Sequence, residues 1–219
     1  MIKKNQTKIA YESILQDIKE NRLAQGQPII EEEYARKLNM SRTPVREAIR
    51  LLTVDDFISL YPRKGAYVKV LTPQDINDCY EMMEAIEGMI AYKAAKDPSE
   101  EDVNSLKEVL HKMEQYKNEM NFHKWKEADI NFHRTLHKMC DNKLLVEYWE
   151  KLFQRTYQIQ TSFTTVIDIG EATNEHRLIY QAFVDKNCHD ARKYTEQNWR
   201  RARTDFLKNS NIIGANATR

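Results

Sequence analysis

Ser41-Arg42-Thr43-Pro44-Val45-Arg46-Glu47-Ala48-Ile49-Arg50 reads as the opening of a short two-faced helix. Ser41 or Thr43 suits the cap, Pro44 fits the first turn, and Val45, Ala48, Ile49 and Leu52 recur at helical spacing as an inward face. Arg42, Arg46 and Arg50 repeat every four residues outside that stripe. An arginine fork bonds guanine bidentately in a major groove or holds a phosphate without reading sequence. Glu31 to Leu38 reads as a preceding helix, with Asn39-Met40-Ser41 as the tight turn of a helix-turn-helix. Downstream, Phe57–Tyr61 and Ala66–Val70 are strand-like runs separated by Pro62-Arg63-Lys64-Gly65, a basic hairpin tip and candidate wing. Upstream, Ile9, Ile14, Leu15, Ile18 and Leu23 place an amphipathic helix over about residues 7–21 that packs beneath the motif.

The run from Ser41 to Arg50 resembles the winged helix-turn-helix of the GntR family of bacterial transcription regulators, and the likeness spans roughly Thr7 to Val70. The resemblance implies DNA contacts for Arg36, Arg42 and Arg46, for Gly65 in the wing, and for Thr43. One departure stands at Val54-Asp55-Asp56-Phe57, where the family usually has a glycine before the first wing strand. Asp56 is therefore expected to stiffen or reshape the wing.

Charge follows the same division. The chain of 219 residues carries 34 Lys and Arg against 33 Asp and Glu, a net of +1. Residues 1–70 hold 13 basic and 9 acidic groups, +4, which leaves 21 against 24, or −3, for the remainder. The basic excess sits with the proposed DNA reader. Cys79, Cys140 and Cys188 are isolated thiols without CxxC spacing, as expected of reduced packing residues. No apolar run approaches the roughly 20 residues of a membrane span, and the N-terminus lacks a signal-peptide core. The expectation is a cytoplasmic protein without membrane contact.

Leu71-Thr72-Pro73 marks the expected junction between a DNA-binding domain over 1–71 and a second domain over 72–219. From Pro73 the chain reads as six helices, over about 73–95, 98–120, 122–140, 143–167, 171–185 and 189–208. Connections this short give an antiparallel helical bundle. The fold class is thus mainly α, a winged helix-turn-helix with a small β-hairpin followed by an all-α bundle.

On the third bundle helix Phe122, Trp125, Asp129, Phe132, His133, Leu136, Met139 and Cys140 share one side, which sets Asp129 and His133 inside an apolar stripe. Two polar groups there need a partner. A carboxylate and an imidazole four residues apart on a helix can meet at one ion. His176 shares a side with Ile179, Ala182 and Phe183, and Asn198 lies among Ala191, Thr195 and Ala202. A core histidine satisfied by hydrogen bonds is the plainer reading of each. His137, one turn beyond His133, is a candidate to supply a missing ligand, but its offset from the stripe assigns it to the surface, while His111, His123 and His189 are taken as solvated.

These positions resemble the FCD ligand-binding domain of FadR-like GntR regulators, whose pattern is Asp-x-x-x-His, a later Glu-His and a final histidine. The resemblance implies a divalent metal of the zinc, nickel or manganese class at Asp129, His133, His176 and Asn198. Asn198 stands where the family usually shows histidine and weakens the centre, since an amide oxygen is a poorer ligand than imidazole for zinc-like ions. Met83 stands where the family often has an arginine, a candidate anchor for an effector carboxylate; Arg155 on the fourth bundle helix takes that role if it faces inward, and a surface charge is its plainer reading. The reading is a metabolite-responsive regulator, repressor in type, binding an inverted-repeat operator in double-stranded DNA as a homodimer. It is not read as an enzyme. The competing reading is a metal-dependent hydrolase or lyase fused to a DNA-binding head, with Asp and two His activating water.

Overall fold

The computed structural model describes residues 2–162 and 168–214, with side chains placed for 5–156 and 168–208. The chain divides into two compact units. One comprises the residues up to Asp75 together with α7 from Gln154 on, and the other takes the remaining helices.

The first unit contains α1 (Ile2–Lys19), β1 (Pro28–Ile29), α2 (Glu31–Lys37), α3 (Arg42–Val54), β2 (Ile58–Tyr61) and β3 (Gly65–Val68). The inward face expected of α3 is buried throughout: Val45, Ala48 and Leu52 are fully enclosed and Ile49 nearly so. It packs on α1 through a core that includes Ala10, Ile14, Ile18, Tyr34, Phe57 and Val68. Removing side chains of this size from water supplies about 2 kcal/mol each. Ile9 departs from the expected stripe and is 43% exposed. Ser41 occupies the N-cap position of α3 in extended conformation, but its hydroxyl makes no capping bond, so the helix start rests on backbone geometry and Pro44.

The hairpin is paired as the sequence suggests, with Tyr61 opposite Gly65 and Ile58 opposite Val68. Gly65 adopts φ +99°, a conformation that a Cβ would strain. A third strand was not foreseen. β1 pairs with the other edge of β3, Pro28 opposite Tyr67, giving an antiparallel sheet of order β1-β3-β2. Asp56 has φ +64°, the left-handed region where glycine is at no disadvantage and Asp or Asn are the best-tolerated alternatives.

The remaining helices are α4 (Pro73–Ala94), α5 (Glu100–Asn118), α6 (Phe122–Met139), α7 (Lys143–Ser162), α8 (Ile169–Val184) and α9 (Cys188–Gly214), and the second unit takes α4 from Ile76 on, α7 up to Phe153 and the other four. All six expected helices are present, and the 163–167 part of the expected fourth lies outside the described residues. Their starts have explicit chemistry. Ser99 and Asp102 form a reciprocal capping box on α5. Asn121 caps α6, and Asp168 accepts from two backbone N–H groups at the head of α8, which begins at Ile169, two residues before the expected start at 171. α5 packs on both α6 and α8, and α8 on α9. Among the described residues no helix is long and apolar enough to cross a membrane.

Candidate functional site

The histidines and carboxylates of the bundle meet in its interior. Along α4 the buried positions Ile76, Tyr80, Met83, Ile90, Ala91 and Ala94 form an apolar stripe, and Glu87 falls on it with no exposed surface. A carboxylate there survives only if its oxygens are satisfied. Glu87 Oε1 accepts from His133 Nδ1 and from His137 Nε2, each at 2.9 Å, and Oε2 accepts from the indole of Trp199. Burial pushes the Glu87 carboxyl up, but the two imidazoles outweigh it and hold it far below the usual range. For His133, burial pulls down while Glu87 and then Asp129 raise it, to about 9.

With Nδ1–H of His133 given to Glu87, its Nε2 faces the other way. His176 repeats the arrangement, Nδ1–H donating to the Ala172 carbonyl at 2.7 Å and leaving Nε2 turned towards His133 and Asp129. The two Nε2 atoms stand 3.4 Å apart. Asp129 Oδ1 completes a triangle, 3.2 Å from His176 Nε2 and 3.9 Å from His133 Nε2. Burial raises the Asp129 carboxyl, and the nearby imidazoles lower it by more, so it stays ionised. Phe132 packs edge-on against the His176 ring and closes one side.

Three observations fit this triangle to a divalent ion. Ligand atoms about 2.0–2.2 Å from one ion stand about 3–3.5 Å apart, which two of the three edges meet. Both imidazoles spend their second nitrogen on a carboxylate or a backbone carbonyl, the outer arrangement that fixes ligating histidines. Charge closes as well: Glu87 and Asp129 bring −2 beside three histidines, which a divalent cation balances with all three imidazoles neutral.

Three of the four expected ligands are thus assembled, and the fourth is placed differently. Asn198 is buried, but its amide donates at 2.7 Å to Glu175 Oε2, the same oxygen that accepts from Arg201. His137 corrects the surface assignment: it is buried, bonded to Glu87 and packed edge-on against Trp149 at 4.0 Å between centroids. Its partner residues lie on α4 and α7, which the pattern of α6 alone does not show. His111, His123 and His189 are exposed as expected. Met83 is fully buried in α4. Arg155 corrects the reading of it as an effector anchor. It pairs with Asp56, lies 3.9 Å from Asp75, and belongs with the N-terminal unit, so its charge is spent at the base of the wing. Glu87 and Trp199 were missed, although a carboxylate on the apolar stripe of α4 was visible in the sequence.

In the N-terminal unit, α3 and the hairpin share one cleft, lined among others by Glu31, Arg42, Arg46, Arg50 and Gly65. Arg42 and Arg46 are both more than half exposed. Arg46 lies side-on to Glu31, Nε to Oε1 at 3.0 Å and Nη2 to Oε2 at 2.9 Å, while Arg42 Nη2 reaches Oε2 at 3.3 Å. Arg36 is 3.7 Å from Glu32 on the same helix, and Arg50 donates to Glu47. Thr43 sits in the exposed first turn of α3.

The family model of the bacterial regulatory proteins, gntR family, matches residues 6–68, and that of the FCD domain matches 78–201. The chain belongs to the GntR family. This GntR regulator is 35% identical over 130 residues, 58% of its length and 76% of the other's, to an uncharacterized HTH-type transcriptional regulator in the TAR-I ttuE-ttuC' intergenic region of Agrobacterium vitis. It is 30% identical over 142 residues, 65% of its length and 62% of the other's, to the HTH-type transcriptional repressor RspR of Escherichia coli K12. The Uxu operon regulator of Haemophilus influenzae is 26% identical over 204 residues, 83% of this chain and 74% of that one. Two solved structures share the fold at a TM-score of 0.74. They are E. coli McbR/YncC, at 19% identity over 93% of this chain and 97% of that one, and a GntR regulator from Rhodococcus sp. RHA1, at 20% over 93% and 98%. The chain is therefore a transcriptional regulator with an N-terminal DNA-binding head and a C-terminal FCD domain.

Proposed function

We propose that this GntR regulator is a metabolite-responsive repressor that binds an inverted-repeat operator as a homodimer and holds its effector, together with a divalent ion, inside the FCD bundle. The convergence of Asp129, His133 and His176 Nε2 carries the reading of the sensor. These three residues would hold the ion, which when bound supplies a positive point charge for the carboxylate of an effector. Glu87 and the Ala172 carbonyl fix the tautomers of the two histidines, and Phe132 shields one side from water.

The bundle serves as a sensor and not as an enzyme. Glu87, the other carboxylate at the centre, has both oxygens engaged by three N–H donors, which suits a holding role better than proton transfer. Repression is supported by relatives named as repressors, RspR among them. A dimer is supported by the arginine-bearing α3, since one such helix reads only a half-site and two joined copies multiply affinity and specificity. Binding of an effector shifts operator affinity only as far as the effector prefers one arrangement of the dimer. Soluble chain without membrane attachment, working in the cytoplasm, follows from this role.

The test is elemental analysis of protein purified without added metal, beside Asp129→Ala and His176→Ala. About one divalent ion per chain in the wild type, absent from both variants, is expected. Equal ion content in all three overturns the metal centre, and a promoter fragment bound no better than unrelated DNA overturns the regulator reading.

A further inference from the structure

Every arginine that faces outward from α2 and α3 has a glutamate partner, but Glu31 differs from the rest in geometry. It stands at the first position of α2, across the turn from α3, and meets Arg46 with two oxygens on two nitrogens and Arg42 with one. A guanidinium has a side edge, Nε with one Nη, and an end edge formed by the two Nη groups. Glu31 takes the side edge of Arg46. The end edge stays free, and it is the one that fits guanine O6 and N7. The Arg46 fork is thereby held in one orientation before any nucleic acid arrives, and the entropy of ordering a long side chain is already spent. Glu31 also places a negative charge between two arginines, where a phosphate would otherwise settle. Hydrogen bonds from Arg46, joined by its charge and by Arg42, outweigh the upward push of burial and leave the Glu31 carboxyl below the ordinary range, so it is ionised at neutral pH.

We propose that Glu31 is a specificity-determining residue of this regulator: it positions the Arg46 fork for a guanine edge and repels the phosphate contacts that would let Arg42 and Arg46 bind any sequence. The proposal rests on the reading of α3 as the DNA-contacting helix. Its consequence is that a base-edge contact keeps the Glu31 pair intact, whereas a phosphate contact must break it or crowd a like charge.

The experiment uses the full-length chain. Duplexes enriched by the wild type from a random pool serve as specific sites, an unrelated duplex as competitor, and affinities are measured over a series of salt concentrations. Glu31→Gln keeps the shape and removes the charge. Glu33→Gln, an exposed neighbour on the same helix, makes the same change in net charge. Glu31→Gln should bind the unrelated duplex about tenfold more tightly, bind the specific site no better than wild type, and steepen the salt dependence on the unrelated duplex by about one to two phosphates' worth. Glu33→Gln should raise both affinities alike and leave their ratio unchanged. An unchanged ratio for Glu31→Gln, or a shift equal to that of Glu33→Gln, overturns the proposal. Should Glu31→Gln melt below the assay temperature, Glu31→Ala is measured in its place against the same criteria. Failure of the wild type to enrich any duplex would instead sink the reading of α3 itself.

Discussion

Replacing Glu87 by glutamine tests the construction of the sensor centre from its least replaceable side chain. The carboxylate accepts three N–H donors on two oxygens, one from each of two imidazoles at 2.9 Å and a third from the Trp199 indole. Glutamine offers one acceptor oxygen with two lone pairs and turns two donors of its own towards the remaining group. At least one of the three buried donors is left facing N–H, a cost of about 1–3 kcal/mol, and charge assistance is lost at the others. No longer burying a carboxylate offsets part of this, and the net expectation is a loss of about 3 kcal/mol in the metal-free chain. The ion should feel the change as well, because His133 Nε2 is aimed only while Nδ1–H is held. A fall of about 10–100-fold in metal affinity is expected.

The pH dependence adds a sign. His133 is raised from 6.5 to about 9, so the stability contributed by its pair with Glu87 is fully present below pH 6.5 and is lost as pH climbs through about 9. Below that value the ion must displace a proton, and wild-type affinity should climb about tenfold per pH unit before levelling near pH 9. In Glu87→Gln the plateau should begin at lower pH. Isothermal titration with Mn2+ or Ni2+ over a pH series, together with urea denaturation of the stripped protein, measures all three. A variant whose metal affinity stays within twofold of wild type, with the same plateau, would refute the role given to Glu87.

Arg46→Ala should weaken binding to a specific duplex by about 1–3 kcal/mol if the fork reads a base, whereas equal weakening on random DNA would reduce it to a phosphate contact. Asp56→Gly sets about 1 kcal/mol of left-handed strain against ion pairs to Lys69 and Arg155 made by a side chain that is 45% exposed, worth about 0–1 kcal/mol. The melting temperature should therefore hardly move, and a loss of several kcal/mol would show the pairs to be stronger than their exposure permits. Asp17 accepts from Tyr34 and Arg22 and pairs with Lys37 at the base of α1. Burial raises its carboxyl, but these three hold it below the usual value, so its contribution is present above pH 3.8 and lost as pH falls through the lowered value. Asp17→Asn should cost about 2 kcal/mol at neutral pH and flatten acid unfolding below the ordinary carboxylate value of 3.8, as followed by circular dichroism.

Much of this was legible in the residue pattern. Helices α3 to α9 carry apolar positions at a period that their own sequences display, and caps such as Ser99 and Asn121 mark the starts. Asp129, His133 and His176 were legible because a polar residue on an apolar face requires a partner. What escaped depends on neighbours distant in sequence. β1 is two residues long and exists only because β3 has an unpaired edge beside it. His137 looked peripheral because its partners are Glu87, on α4, and Trp149, on α7. Arg155 could be read as an inward anchor or a surface charge, and its partners Asp56 and Asp75, distant in sequence, decide the matter. Asn198 lies where the pattern of α9 put it, yet Glu175 and Arg201 decide what its amide does.

The middle strand of the small sheet has consequences for how such a reader diversifies. Because β3 is bonded along both edges, the hairpin is no loose flap, and its bend from Pro62 to Lys64 projects from a braced support. Substitutions in that bend leave the ladder and the core beneath it untouched. Lineages can therefore retune the wing like a replaceable stylus, altering which operators are recognised while the bearing that carries it stays the same.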